Sequence, residues 1–357
     1  MWSVELTQEI LFERVGAWGV ITLNRPKALN ALTFGMVKAF RSQMKEWESD
    51  TGVRAVLVKG AGERAFCAGG DVRWVHETAR RALDEAAVFF HEEYRNNAAI
   101  FHFPKPYIAL IDGIVMGGGV GISIHGDFRI AGDKTLFAMP ETGIGLFPDV
   151  GGGYFMSRLA GGLGQYFGLT GARARAADCL AAGFATHYCP SDQMDELEAV
   201  LLAAELKSDP YKEVDEMLAA AGKDPGRGDL DEIRGKIADL FEHSQSVDDL
   251  FSRLNKDESD FAIGTLKTLK QMSPLSLKVT FEQMQRGAKL DFDDVMRMEY
   301  RLVRRILQGK DFFEGVRAQL IDKDKTPKWD PADLTAVTDE MVAAHFEDLG
   351  QDELVLP

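Results

Sequence analysis

Two carboxylates stand out by their surroundings. Glu141 lies in Met139-Pro140-Glu141-Thr142, and Asp149 follows in Phe147-Pro148-Asp149-Val150, within a stretch of glycine, proline and apolar residues. A carboxyl group in apolar surroundings shifts toward the pKa range that suits a general acid, a base or a nucleophile. The competing reading is structural: each caps a helix or pairs with an arginine. Glycine is concentrated around them. The 35 glycines of 357 residues are about a tenth of the chain, against a usual share of about 7%. Three clusters hold many of them: Phe66-Cys67-Ala68-Gly69-Gly70-Asp71, Gly117-Gly118-Gly119-Val120-Gly121, and the run from Gly143 to Gly153. A glycine-rich turn that opens a helix exposes unpaired N–H groups at the positive end of the helix dipole, which suits an anion or a developing oxyanion. Two such turns can converge on one carbonyl. Glycine also serves close packing, and no cluster contains the Gly-Lys-Ser/Thr signature of a phosphate loop.

Other nucleophiles are weaker candidates. Cys67 sits beside a glycine turn, but no histidine is near it in sequence and small buried cysteines are common. Ser123 and His125 are two apart in an expected helix, so they face different directions and do not form a direct pair. His91, His102 and His187 make no metal-spaced set, and neither a structural metal nor a cofactor is expected.

These residues need a scaffold. Val20-Ile21-Thr22-Leu23 and the run Val53 to Val58 read as strands, separated by a helical pattern from Phe34 to Trp47 with Met36, Phe40, Met44 and Trp47 on one face. A helical region from Asp84 to Phe101 precedes two further strands, Tyr107 to Ile111 and Phe128 to Ala131. Such alternation predicts an α/β fold with a largely parallel sheet and helices outside. After Pro190 the strand signals stop and helices follow. One is sharply delimited by Ser273 as N-cap, Pro274 at the first position and Gly287 at the end; another spans Phe292 to Leu307. The expected organisation is therefore a core over 1–190 and a helical region over 191–357, with a charged linker or surface helical insertion around 208–258.

Composition sets the boundaries. The chain carries 41 Lys and Arg against 56 Asp and Glu, a net charge of −15, which argues against most nucleic-acid and anionic-membrane partners. The 45% apolar content suffices for a sizeable core. Three cysteines without metal spacing predict free thiols in a reducing compartment. The first nine residues show neither a basic lead nor an apolar stretch, so no leader peptide is expected. Tyr107 to His125 is apolar enough to mimic a membrane span, but it contains Asp112 and five glycines and reads as a buried strand and helix.

Taken in order, Asn24-Arg25-Pro26-Lys27-Ala28-Leu29-Asn30-Ala31-Leu32, the run Ala65 to Asp71, the run Asp112 to Gly119 and Asp311 to Ala318, continuing through Lys323 to Trp329, resemble the crotonase (enoyl-CoA hydratase/isomerase) superfamily. The resemblance covers most of the chain. It implies a spiral of strand-strand-helix turns with a helical C-terminal region, an acyl-CoA substrate, and an oxyanion hole made by the backbone N–H groups of Gly70 and Gly118. It also implies CoA contacts at Lys27, Ala68 and Asp71, with Arg25 and Lys323 as further cations for the CoA phosphates. Superfamily hydratases use two glutamates. Here Gly121 stands in place of the first and only Glu141 matches the second, which speaks against hydration by a carboxylate pair.

The longer run from Ala138 to Phe155, with His91-Glu92-Glu93-Tyr94 and Met298-Glu299-Tyr300-Arg301-Leu302, is similar to one branch of the superfamily, the 3-hydroxyisobutyryl-CoA hydrolases of valine breakdown. That likeness implies Glu93, Gly118, Glu141 and Asp149 as substrate-contacting positions. Glu141 is then nucleophile or base, and Asp149 holds the substrate hydroxyl. The leading expectation is a thioester hydrolase, cytoplasmic or, in a eukaryote, in the mitochondrial matrix. The alternatives are an enoyl-CoA hydratase or isomerase and a non-catalytic acyl-CoA-binding protein. A homo-oligomer is also expected as a possibility from the superfamily.

Overall fold

The computed structural model describes residues 8–356; residues 1–7, part of the stretch read as leaderless, lie outside the described residues. β1 (Ile10–Val15) and β2 (Trp18–Leu23) form an antiparallel hairpin, and β2 then pairs in parallel with β3 (Ala55–Gly60). The three-residue strand β4 (Ala65–Cys67) leaves this sheet. β5 (Tyr107–Ile111), β7 (Phe128–Ala131) and β9 (His187–Tyr188) continue it in parallel, giving the order β1-β2-β3-β5-β7-β9. β6 (Ile114–Met116) and β8 (Leu136–Ala138) join β4 in a second parallel sheet, ordered β4-β6-β8. Each turn of chain thus donates one strand to the large sheet and one to the small sheet. This is the strand-strand-helix spiral that the resemblance implied; hydrophobic periodicity predicted only the large sheet.

Helices close the turns. α1 (Phe34–Ser49) starts where Thr33 accepts a hydrogen bond from Met36 N and buries Met36, Phe40, Met44 and Trp47. α2 (Val72–Ala79) is capped by Asp71, and α3 (Leu83–Phe101) packs against both α1 and α2. α4 (Gly118–Gly121) is a single buried turn. The stretch that mimicked a membrane span is therefore two buried strands and this turn, and no helix among the described residues is long and apolar enough to cross a membrane.

Beyond Pro190 the chain is helical. α5 (Pro274–Gly287) begins at Ser273, whose side chain accepts from Ser276 N, and α6 (Phe292–Ile306) buries Val295, Met298, Leu302 and Ile306. The segment 208–258 differs from a linker. Its helix Pro210–Ala221 lays Val214 and Leu218 on the outer face of the large sheet, beside Trp18, Leu57 and Ile108. Ile237, Phe241, Leu250 and Leu254 join the main core, which runs from Ile10 to Leu354. Exposed charges masked an apolar face with helical spacing.

Candidate active site

Three parallel strands end at one place. β4 runs into Gly69-Gly70, β6 into Gly117-Gly118, and β8 into Pro140-Glu141, so the small sheet delivers two glycine turns and a carboxylate from its C-terminal edge. Carboxyl ends of parallel strands are the usual place for a ligand because the following loops and helix N-termini converge there.

Among the described residues the amides of Gly70 and Gly118 have no acceptor and are free to donate. Leu32 bridges to the first turn by giving its N–H to Gly69 O (2.8 Å) and taking one from Asp71 N (2.9 Å), which turns the Gly70 N–H away. Gly118 is the first residue of α4, so its N–H has no intrahelical acceptor. The turns touch: a Cβ on Gly118 would stand 3.1 Å from Gly70 N. Gly117 has φ +47°, a conformation that favours glycine.

Acidic side chains face these turns. A Cβ on Gly118 would overlap Glu93 Oε1, and one on Gly70 would lie 3.8 Å from the same oxygen. A Cβ on Gly117 would lie 3.2 Å from Glu141 Oε1. Glu93, Asp149 and Glu141 are only 3%, 4% and 6% exposed. Glu93 Oε1 and Glu141 Oε2 have no hydrogen-bond partner among the described residues. Burial raises Glu141 well above the usual carboxyl range, helped by the negative charge of Asp149. Glu93 is raised in the same way, by burial and then by Asp149. Asp149 is pushed by burial up to about 7, although the Tyr94 hydroxyl donates to its Oδ2 at 2.9 Å and pulls the other way. Among the described residues the Asp149 side chain therefore caps no helix and meets no arginine; it is a hydrogen-bonded carboxyl in a dry acidic cluster.

Gly121 is packed. A Cβ there would stand 2.6 Å from Asn97 Nδ2 and 2.7 Å from Val150 Cβ, so a glutamate side chain has no room without displacing both. Asn97 is fully buried with neither Nδ2 nor Oδ1 partnered among the described residues.

The other sequence candidates take structural places. Cys67 is buried and its thiol is pushed up to about 12, mainly by desolvation; it packs against Gly119. All three cysteines are free. Ser123 donates to the carbonyls of Gly119 and Val120, while His125 Nε2 donates to Val150 O at 2.7 Å, so the two are not paired. Asp71 accepts from Trp74 N and pairs with Arg25 (3.6 Å), which also pairs with Glu9 (3.1 Å). Lys27 is exposed on the turn Pro26–Ala28, and Ala68 N donates to Leu29 O (3.0 Å) in the neighbouring loop. Asn30, fully buried, ties this turn down by donating to Ala61 O and Ala65 O, each at 2.9 Å. Lys323 is exposed, and Arg73 of α2 donates to Leu320 O (2.6 Å), which brings that segment to the same side. No three His, Cys, Asp or Glu side chains among the described residues are grouped to hold a metal ion.

Residue types and spacing alone did not single out Tyr94, Asn97, Gln283 or Glu299 for a role. A signal existed for two of them: the core face of α3 is interrupted by Glu93, Asn96 and Asn97, all buried, with Tyr94 beside them. Buried polar residues on an apolar face need a partner.

The sequence pattern of the enoyl-CoA hydratase/isomerase family matches residues 18–346. The chain belongs to that family. A Danio rerio protein named 3-hydroxyisobutyryl-CoA hydrolase, mitochondrial, is 47% identical over 365 residues, covering 100% of this chain and 94% of that protein. The Homo sapiens protein of the same name is 48% identical, covering 98% of this chain and 91% of that protein. Among solved structures, one titled as a carnitinyl-CoA dehydratase from Mycobacterium thermoresistibile superimposes with a TM-score of 0.91 at 42% identity, covering 98% of this chain and 99% of that one. For a member of this family, the meeting of two glycine turns with the buried carboxyl groups of Glu93 and Glu141 makes the edge of the small sheet the candidate seat of the chemistry.

Proposed function

We propose that the protein hydrolyses the thioester of 3-hydroxyisobutyryl-CoA, giving 3-hydroxyisobutyrate and CoA. The observation that carries the reading is the site's asymmetry: Glu141 stands beside the Gly117-Gly118 turn, its Oε1 3.2 Å from a Cβ placed on Gly117, while Gly121 is packed solid where a second hydration carboxylate would need space. The full-length likeness to proteins named for this hydrolysis points the same way.

In this reading the acyl carbonyl oxygen lies between the N–H groups of Gly70 and Gly118. They stabilise the oxyanion by roughly 3–4 kcal/mol each when well aimed. Glu141 attacks the carbonyl carbon itself, or removes a proton from the water that does; a raised pKa makes it the stronger base in either role. In the base route the C–S bond breaks as water's oxygen joins the acyl carbon, and Glu141 passes the water proton to the departing CoA thiolate; in the nucleophilic route CoA leaves as a thiolate from a mixed anhydride on Glu141, which water then cleaves to release the acid and free Glu141, its proton going to the thiolate. Asp149, oriented by Tyr94, accepts the substrate's 3-hydroxyl, and Glu93 borders the same space. An acceptor left unpaired by a plain acyl chain is costly when buried, so the site selects for the hydroxyl. Lys27, Ala68 and Asp71 with Arg25 and Lys323 form the CoA-facing side, and assembly as a homo-oligomer belongs to the same proposal. The two relatives are named as mitochondrial, so the cytoplasmic expectation gains no support from them.

The test follows CoA thiol release from 3-hydroxyisobutyryl-CoA with a thiol-reactive dye, beside loss of enoyl absorbance on crotonyl-CoA. Thiol release with an inert enoyl substrate is expected. Hydration without thiol release would overturn the proposal in favour of the hydratase reading, in line with the structural likeness to a protein named as a dehydratase, and silence on both substrates would favour a binding protein.

A further inference from the structure

The loop carrying Asp149 is held in a shape its own residues disfavour. Val150 has φ +52°, in the left-handed region, where a β-branched residue is strained and persists only when its surroundings impose it. The surroundings are explicit. His125 Nε2 donates to Val150 O at 2.7 Å, and Gln283 Nε2 of α5 donates to Pro148 O at 2.8 Å. Glu299 of α6 accepts from Gly151 N with Oε2 (2.7 Å) and from Gly153 N with Oε1 (2.8 Å). Gln283 Nε2 also reaches Glu299 Oε1, at 3.0 Å.

Glu299 is fully buried, and its partners among the described residues are neutral donors rather than cations. Burial pushes its carboxyl up to about 8, with three donors pulling it back down. The third glycine cluster therefore gives its backbone N–H groups to a buried carboxyl group, and that group is the protein's own side chain. The glycines permit the approach: a Cβ on Gly153 would stand 3.1 Å from Gln283 Cγ and 3.2 Å from Glu299 Oε1, and Gly151 has φ +88°.

We infer that Glu299, backed by Gln283, is a positioning residue that clamps the loop 148–153 and so sets Asp149 against Tyr94 for selection of the 3-hydroxyacyl group. The inference rests on the proposed role of Asp149. Its chemistry is simple: each Glu299 oxygen accepts from one backbone N–H, and an amide in its place turns an NH2 group toward one of those donors.

The experiment measures kcat/KM on 3-hydroxyisobutyryl-CoA and on isobutyryl-CoA for the wild type, Glu299→Gln, Asp149→Asn and the double variant. Expected are a wild-type preference for the hydroxylated substrate, its reduction about tenfold or more in Glu299→Gln, and little further reduction when that change is added to Asp149→Asn. Equal losses on both substrates, or full additivity in the double variant, would overturn the clamp while leaving the hydrolase reading intact. A wild type that releases thiol but does not discriminate would instead strike the role of Asp149, and the clamp with it. Should Glu299→Gln fail to fold, Gln283→Met carries the same test, since it keeps the carboxylate and removes the donor to Pro148 and Glu299. A folded Gln283→Met with an unchanged substrate ratio would overturn the inference.

Discussion

Asp149→Asn should change how stability depends on pH, in a direction fixed by the site. The carboxyl of Asp149 is moved from an ordinary 3.8 to about 7, chiefly by burial. The folded state therefore binds this proton more tightly than the unfolded chain does. Stability from this group is fully present below about pH 4 and is lost as pH rises to about 7, after which the loss is constant. A shift of about 3 units at about 1.4 kcal/mol each sets an upper bound of about 4 kcal/mol. Glu93 and Glu141 compete for the same protons, so about half of that, near 2 kcal/mol, is the working figure. The asparagine of the variant cannot ionise but still offers an oxygen to the Tyr94 hydroxyl, so the baseline cost at low pH is small. Urea titrations of both proteins at pH 5, 6, 7 and 8, followed by tryptophan fluorescence, measure the difference. More than a third of the effect lies below pH 5, so the stability of the variant relative to wild type should rise by about 1 kcal/mol across this range. Parallel pH profiles, within about 0.5 kcal/mol, would mean that Asp149 is not desolvated in the folded protein and would refute the buried acidic cluster.

Four further outcomes are expected. Glu141→Gln should lower thiol release by about a thousandfold or more while leaving CoA affinity, measured by calorimetry, within about threefold; near wild-type turnover would remove Glu141 from the chemistry. Because Glu141 must be ionised to act and its pKa is raised, wild-type kcat/KM should climb with pH through a value above the ordinary glutamate range, and a flat profile from pH 5 upward would contradict this. Gly121→Glu should lower the melting temperature and produce no crotonyl-CoA hydration, since its Cβ already collides with Asn97 and Val150; a folded, hydrating variant would show that the space exists. Cys67→Ala should keep turnover, and the native Cys67 thiol should stay silent to a thiol reagent at pH 8, given its pKa of about 12.

Local signals were legible in the sequence and distant ones were not. The start of α5 could be read from Ser273 and Pro274 because capping depends on residues a turn apart. The glycine clusters and Glu141 could be proposed because each sits in a conspicuous turn, while Gly70 and Gly118 were singled out within their clusters only by the family likeness. The small sheet could not, because strands of three residues carry too few positions for an alternating pattern. Without that sheet, no residue-level argument says that the three turns meet; only the family likeness did. The helix Pro210–Ala221 was hidden for another reason. Its charges dominate the composition, while its contact with the large sheet rests on Val214 and Leu218, one helical turn apart.

The least legible part of the site is what holds it in place, and the same physical reason explains both halves. Glu141 lies in a turn packed against the helix Asp311–Val316: Gly145 has no room for a Cβ against Asp311, nor Gly315 against Ile144. Asp311 is itself fixed by the Ser273 hydroxyl (2.5 Å) and by Asp330 N (2.8 Å). Asp149 lies in a loop gripped by Gln283 and Glu299, more than 130 residues away in sequence. Each proposed catalytic carboxylate is thus presented by the spiral and locked by the helical C-terminal region. Glycines occur at both contacts because backbone must touch backbone or a buried carboxylate there. This accounts for a C-terminal motif, Asp311 to Ala318, that supplies none of the proposed reacting groups: its work is to keep the Glu141 turn from moving.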